Sequence, residues 1–157
     1  MSLAREIKKK RPFDCPEQEA ALNLRRTAGI VLEQHDRLFK RHGISSPLYN
    51  ILRILRGNDG GLPCSEIGSQ MVTRVPDTTR LIDRLERLGF VLRERGESDR
   101  RVVTVKITSA GLELLASLER PVMDLHKQSL GHLSESELAD LNRLLTKARS
   151  ASDDAAS

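Results

Sequence analysis

The chain has 157 residues, of which 31% are charged and only 3% are aromatic, and its formal net charge is +4. This length suits one ordinary domain, and the scarcity of aromatic residues predicts a core built mainly from leucine, isoleucine, valine and alanine. Two cysteines are too few for a disulfide-rich fold, and no apolar run is long enough to span a membrane. The basic charge balance favours contact with phosphate but does not identify a partner.

The N-terminal part of the chain predicts an arm followed by a long helix. Residues 1–15 are polar and basic, with four cationic side chains at positions 8–11, and we expect a flexible arm there. Residues 16–41 predict one long helix that Gly43 ends. Apolar and aromatic side chains recur on one face of this helix at steps of three and four, at Leu24, Ala28, Val31, His35 and Leu38.

The middle of the chain predicts two short helices joined by a turn. A helix over residues 44–56 has Pro47 in its first turn, and a glycine-rich loop follows at 57–61. The next helix is predicted at 65–71, with a turn near 72–75. A second helix is predicted to begin around Pro76 and to end at Gly89.

One face of the second helix is apolar and the other is polar and charged. The polar face carries Asp77, Thr78, Arg80, Asp83, Arg84 and Arg87. By itself such a face is equally typical of a solvated helix with acid–arginine pairs. Two strands follow, predicted at 91–95 and 102–107, because apolar and polar residues alternate in the second of them.

The two predicted strands enclose a polar tip at residues 96–99. Arg93, Arg95, Arg100 and Arg101 concentrate positive charge around this tip. A protruding hairpin with arginines at its end suits a narrow, electronegative minor groove of DNA. The alternative is a charged loop that protects the sheet edge from aggregation.

The C-terminal part predicts two more helices. The first follows a capping Thr108 and contains Pro121, which should kink or divide it. The second opens with Ser134 and Glu137 at the spacing of a capping box, and residues 151–157 are expected to be disordered. The order of elements predicts a mainly α-helical fold with a small β-wing, that is, a winged helix-turn-helix. The helices at its N- and C-terminal ends carry more apolar surface than such a unit can bury, which predicts that they are dimerisation helices packed across a two-fold axis.

Several short motifs resemble the multiple-antibiotic-resistance regulator (MarR) family of bacterial winged-helix regulators. They are TRVPDTTRLIDRL at 73–85, LGFV at 88–91, DRRVV at 99–103 with ITSAG at 107–111, and YNILRIL at 49–55. The resemblance covers roughly residues 17–150. It implies a single domain over 16–150, with a winged helix-turn-helix core at 62–107 and dimerisation helices at 16–43 and 108–150.

The resemblance also implies roles for individual side chains. The wing arginines of the family contact the minor groove and the acidic residue beside them holds the wing, which assigns these roles to Asp99, Arg100 and Arg101. The recognition helix implies major-groove contacts to bases and phosphates. The resulting set of DNA-binding candidates is Arg74, Asp77, Thr78, Thr79, Arg80, Arg84, Arg93, Arg95, Asp99, Arg100 and Arg101.

The resemblance implies a cytoplasmic homodimer that binds a pseudo-palindromic double-stranded operator. Two recognition helices would lie about one DNA turn apart, roughly 34–36 Å. We expect a transcriptional regulator, in particular a repressor released by a small aromatic or anionic ligand. The ligand pocket is expected between the first long helix, the helix at 44–56 and the helix after Thr108. No catalytic motif, metal-ligand cluster or cofactor motif supports an enzyme.

Two alternative functions remain open at the level of the sequence. One is an oxidant-sensing regulator that acts through Cys15 or Cys64, since a thiol near a helix start can have a lowered pKa. The other is a winged helix that binds proteins and has no DNA activity. The charged wing tip favours DNA binding over this second alternative.

Overall fold

The computed structural model describes residues 2–73, 75–95 and 103–153. Within them lie seven helices and three strands: α1 Leu3–Glu6, α2 Pro16–Arg41, α3 Ser46–Arg56, β1 Leu62–Pro63, α4 Cys64–Ser69, α5 Thr78–Arg87, β2 Val91–Arg95, β3 Val103–Ile107, α6 Ser109–Leu130 and α7 Glu135–Asp153. The chain divides into two compact units, Met1–Glu119 and Arg120–Ser157. A mostly helical fold with a small antiparallel sheet confirms the fold class expected from the sequence.

The N-terminal segment contains a short helix that the sequence did not predict. Helix α1 forms where we expected an arm without regular structure, and two contacts explain it. The side chain of Leu3 is buried at 4% exposure, and the carboxylate of Glu6 lies 2.7 Å from Nε of Arg26 on α2. Part of residues 1–15 is therefore fastened to the first long helix.

Helices α2 and α3 begin at prolines and serines that suit a first turn. Helix α2 has the predicted bounds, with Pro16 at its start and Gly43 at φ 73° after its end. Helix α3 begins at Ser46, two residues after the predicted start, because Ser45 keeps an extended backbone as the N-cap residue. Its buried face forms the centre of the core, with Leu48, Ile51, Leu52 and Leu55 each at most 1% exposed.

The sheet has three antiparallel strands in the order β1-β3-β2. Strand β2 pairs with β3 from Val91 opposite Ile107 to Arg95 opposite Val103. Strand β1, which the sequence did not predict, pairs Leu62 with Val105. Gly61 precedes it at φ 76°, and a Cβ atom at Gly61 would lie 2.6 Å from Cγ of Lys106. Glycine is therefore required where β1 approaches β3.

The C-terminal helices have the caps that the sequence predicts. Oγ1 of Thr108 accepts a hydrogen bond from the amide of Gly111 at 3.2 Å. The amide of Ser134 donates to the carboxylate of Glu137 at 2.8 Å, and the amide of Glu137 donates to Oγ of Ser134 at 3.3 Å. These reciprocal bonds confirm the capping box.

The structure narrows one expectation for the same helices and contradicts another. Helix α6 is one helix from Ser109 to Leu130, so Pro121 does not divide it, and the alternative of a kink at Pro121 stays a prediction. Helix α7 extends to Asp153, so residues 151–153 of the expected disordered tail are helical. One more turn is available because no proline or glycine interrupts the chain there. Residues 154–157 lie outside the described part of the chain.

Candidate nucleic-acid interface

Helices α4 and α5 form a closely packed pair. Ile67 on α4 and Ile82 and Leu85 on α5 are completely buried, and they fix the inner faces of both helices. Gly68 allows the close approach, because a Cβ atom there would lie 3.1 Å from Oγ1 of Thr78. Thr78 is accordingly half-buried beside α4, and its expected contact with DNA stays a prediction.

Helix α5 begins two residues later than the sequence predicted. The sequence placed this start near Pro76. In the structure Asp77 is the N-cap residue, with a non-helical backbone at φ −145° and ψ 77°. Its Oδ1 accepts a hydrogen bond from the amide of Arg80 at 2.9 Å. The carboxylate satisfies a first-turn amide that has no partner within the helix, and this fixes the start of α5.

The outer face of α5 is exposed and basic. Thr79, Arg80, Arg84 and Arg87 are exposed, and within the described residues Arg80 and Arg84 form no ion pair. A groove of about 470 Å³ runs beside them, lined by Pro47, Val75, Pro76, Asp77, Arg80, Leu81, Arg84 and Arg87. This groove begins at the start of α3 and follows α5, and none of its lining residues lies on α2 or α6.

Arg93 has a different environment from the one expected of a wing arginine. Its Nη2 lies 2.6 Å from Oδ1 of Asp83, and its Nη1 bonds to the carboxylate of Glu86. Burial lowers the pKa of Arg93, but the hydrogen bonds and charges of the two carboxylates raise it, and the net pKa is raised. The side chain of Arg93 therefore connects β2 to α5. The sequence does not predict these ion pairs, because Asp83 and Glu86 lie on another element, ten and seven residues before Arg93.

Of the remaining DNA-binding candidates, only Arg95 lies among the described residues. Arg95 is exposed at the end of β2, and no ion pair of Arg95 is found within the described residues. On the neighbouring strand, Nζ of Lys106 lies 2.7 Å from the carboxylate of Glu94. Arg74, Asp99, Arg100 and Arg101 lie outside the described residues, so their assignment stays a prediction.

The turn between α4 and α5 is held by a residue that the sequence did not single out. The amide of Val72 donates a hydrogen bond to Oδ1 of Asn50 on α3 at 2.9 Å. Asn50 lies 22 positions earlier in the chain, and a lone asparagine on a helix gives no signal of such a contact. The bond connects the core helix α3 directly to the loop that precedes α5.

The two cysteines lie in different surroundings. Cys15 is exposed at the N-cap position of α2. Cys64 is half-buried at the first residue of α4, and its Sγ lies 3.5 Å from Oγ1 of Thr79 on α5. No group of three or more potential metal ligands comes together in the part of the chain that the structure describes. Over that same part, no helix is both long and apolar enough to cross a membrane.

Two packed helices followed by a hairpin, with an exposed basic face on the second helix, define a winged helix-turn-helix DNA-binding protein. Residues 44–103 match the model of the MarR family. A solved MarR transcription factor from Planctomyces limnophilus is 43% identical, with a TM-score of 0.66, and the match covers 86% of this chain and 98% of that one. The chain belongs to the MarR family of transcriptional regulators.

Two further proteins are similar to this chain. The transcriptional repressor IacR of Pseudomonas putida is 29% identical over 122 residues, which are 78% of this chain and 72% of IacR. A structure of a mutant MarR from Escherichia coli complexed with operator DNA has a TM-score of 0.75 at 22% identity. That match covers 94% of this chain and 99% of the other. At this identity the likeness to the DNA complex concerns the fold alone.

Proposed function

We propose that the protein is a cytoplasmic, homodimeric repressor that binds a pseudo-palindromic operator and releases it when a small ligand binds. The outer face of α5 carries the proposal. Thr79, Arg80 and Arg84 are exposed together on the helix that enters the major groove in this class of proteins. The guanidinium groups of Arg80 and Arg84, which form no ion pair among the described residues, suit phosphates and guanine edges, and the threonine hydroxyl suits either bases or phosphates.

Not every candidate takes the same part in the proposed interface. Arg80, Arg84 and Thr79 act in the major groove, and the wing arginines Arg95, Arg100 and Arg101 act at the minor groove, with Arg74 on the backbone. Asp99 holds the wing. The other three act within the winged helix-turn-helix: Asp77 caps α5, Thr78 packs against α4, and Arg93 connects β2 to α5.

The homodimer is supported by apolar surface on the long helices. Helix α2 has 26 residues, of which only Phe39 is buried. Leu24, Ile30 and Leu32 on α2 are 50%, 51% and 50% exposed, and Leu144 on α7 is 54% exposed. Apolar side chains on regular helices need cover from water, and a second copy of the chain supplies it. A two-fold dimer also places two recognition helices on successive turns of DNA.

Repression and ligand control rest on the family and on its members. IacR is a repressor, and its likeness supports repression here. Ligands of the family that bind between the dimer helices and the winged unit change the separation of two recognition helices. A shift of a few Å is enough to lose one half-site, because both must fit the same groove spacing.

The proposal is tested by DNA binding in a salt series. DNA selected by the protein from a random library is labelled, and its affinity is measured for the wild type, Arg80→Ala, Arg84→Ala and the control Arg37→Ala. Each α5 variant should bind more weakly, with a loss of about 1–3 kcal/mol if the arginine reads a base. The control, an exposed arginine of α2, removes the same charge and should bind as the wild type does.

The salt series measures how many phosphates the protein neutralises on DNA. The logarithm of the wild-type affinity should fall with the logarithm of salt at about −0.9 per neutralised phosphate. Loss of one phosphate contact in a variant should reduce that slope by about one. If all four proteins bind equally and weakly to any DNA, the proposed function is wrong.

Oxidant sensing is a second candidate, and one observation favours Cys64 over Cys15 for it. The thiol of Cys64 contacts Thr79 on the reading face of α5. Enlargement of that sulfur by oxidation would displace the threonine from its place on the helix. Hydrogen peroxide should then weaken DNA binding by the wild type and by Cys15→Ser but not by Cys64→Ser. Equal sensitivity of all three proteins would remove this candidate.

A further inference from the structure

Val72 is unusually exposed for an apolar residue. Its exposure is 89%, whereas the other exposed large apolar side chains of the described residues lie between 37% and 54%. Most of those with about half exposure lie on the long helices α2, α6 and α7. Val72 instead lies in the turn between the two helices of the helix-turn-helix. A single exposed valine is ordinary by itself, so its surroundings have to decide whether it has a function.

The backbone that leads into Val72 is held at two points. The preceding side chain, Met71, is anchored in the core at 9% exposure, and its amide bonds to the carbonyl of Gly68 at 3.4 Å. The amide of Val72 donates to Oδ1 of Asn50 at 2.9 Å. Because the chain is held at these two points, Val72 is held outwards at the entrance to α5.

The bond to Asn50 also limits what Val72 can offer to DNA. Backbone amides near a recognition helix often donate to phosphates, but the amide of Val72 is already used. Its side chain has neither charge nor a hydrogen-bonding group. What remains is an apolar contact. The thymine C5 methyl is the apolar group that base edges present in the major groove.

We propose that Val72 is a specificity-determining residue that packs against the C5 methyl group of a thymine in each operator half-site, and that Asn50 is the positioning residue that holds it there. This inference rests on the proposed DNA-binding function. It adds a base-contacting residue outside α5, and this residue distinguishes thymine from other bases by hydrophobic contact alone.

The test compares thymine with deoxyuridine, which differs only by the missing methyl group. DNA selected by the wild-type protein is resynthesised with one thymine per half-site replaced by deoxyuridine, at each thymine position in turn. Affinity is measured for the wild type, Val72→Ala and Val72→Thr. At one position the wild type should lose about fourfold per half-site, the effect of one methyl group withdrawn from apolar contact.

The variants then assign that loss to Val72. Val72→Ala should bind thymine and deoxyuridine equally at the same position. Val72→Thr, which keeps one methyl in nearly the same shape, should retain part of the discrimination. Thermal unfolding controls for the fold, and we expect no change because the side chain is exposed. If Val72→Ala discriminates at every position as well as the wild type does, the inference is overturned, even though the DNA-binding function stands.

Asn50 is tested through the same discrimination. Asn50→Leu removes the acceptor and should lose the preference for thymine. Asn50→Asp keeps an oxygen in place and should retain the preference, although its added negative charge lowers affinity for all DNA. Equal thymine preference in both Asn50 variants would overturn the positioning role. If the wild type itself selects no DNA, the proposed function and this inference both fail.

Discussion

Arg93 on β2 and Asp83 on α5 form an ion pair at 2.6 Å that joins the wing to the recognition helix. The same guanidinium bonds to Glu86, one helical turn further along α5. Only 26% of the Arg93 side chain is exposed, so the pair is partly shielded from water. One internal cation thereby offsets part of the negative charge of two carboxylates on α5, and within the described residues the exposed Arg80 and Arg84 of the same helix form no ion pair.

Replacement of Arg93 should weaken both the fold and DNA binding. Arg93→Ala leaves Asp83 and Glu86 without their cation, and we expect a loss of about 1 kcal/mol in the free energy of unfolding. DNA affinity should fall as well, because two negative charges are uncovered on α5. The matched control is Arg95→Ala on the same strand, which should weaken DNA binding without lowering stability in a urea titration. Equal stability losses would contradict the role of Arg93.

Asp77 should act through the helix rather than through DNA. Asp77→Ala removes the cap of α5 and should cost about 1 kcal/mol of stability, together with a loss of DNA affinity. Asp77→Asn keeps an oxygen that accepts from the Arg80 amide, and it removes a negative charge close to the groove. That variant should be nearly as stable as the wild type and should bind DNA at least as tightly. A severe affinity loss in Asp77→Asn would show that the carboxylate itself contacts the operator.

The close approach of Gly68 and Thr78 should make substitutions at the two positions interdependent. In the wild type, Gly68→Ala places a methyl group 3.1 Å from Oγ1 of Thr78, so the pair of helices must adjust and DNA affinity should fall. In a Thr78→Ala background the space is free. There Gly68→Ala should stabilise the protein by about 0.5–1 kcal/mol, the usual gain of alanine over glycine in a helix. A double-mutant cycle measures this coupling, and additive effects would refute it.

The apolar stripe of α2 should control assembly. Leu24→Glu places a charge on this stripe, in the proposed contact between two copies, and light scattering should show a smaller species than the wild type. Affinity for a two-half-site operator should fall with it, since each half-site is then bound separately. Lys40→Glu changes the charge of the same helix at an exposed polar position and should remain a dimer. A dimer in both variants would exclude this stripe from the interface.

The charge on Glu137 should make the last helix sensitive to acid. Hydrogen bonds from the amide and hydroxyl of Ser134 lower the pKa of Glu137 below its ordinary 4.5. Because the folded-state pKa is depressed, the stabilisation is present above the unfolded value and is lost as pH falls through the folded value. Glu137→Gln keeps the capping spacing without the charge. It should be less stable than the wild type at neutral pH and equal to it in strong acid, as measured by thermal unfolding.

The sequence predicts the elements of this fold better than it predicts their contacts. Helix α2 was placed correctly because proline and glycine mark its two ends. The start of α5 was misplaced because Pro76 fits a first helical turn, and only the structure shows that Asp77 holds the Arg80 amide. Strand β1 has two residues, too few for any periodicity. The ion-pair partners of Arg93 and the hydrogen-bond partner of Val72 lie on other elements, so residue spacing cannot predict them.

The short strand β1 has a mechanical consequence. It ends at Pro63, and α4 starts at the next residue, so the helix is an extension of the edge of the sheet. Arg93 fastens the opposite strand to α5. The two helices of the helix-turn-helix are therefore connected to both outer strands of the sheet, α4 to β1 and α5 to β2. Under the proposed function, we expect a ligand to change DNA affinity mainly by moving this winged helix-turn-helix as a whole rather than by bending it.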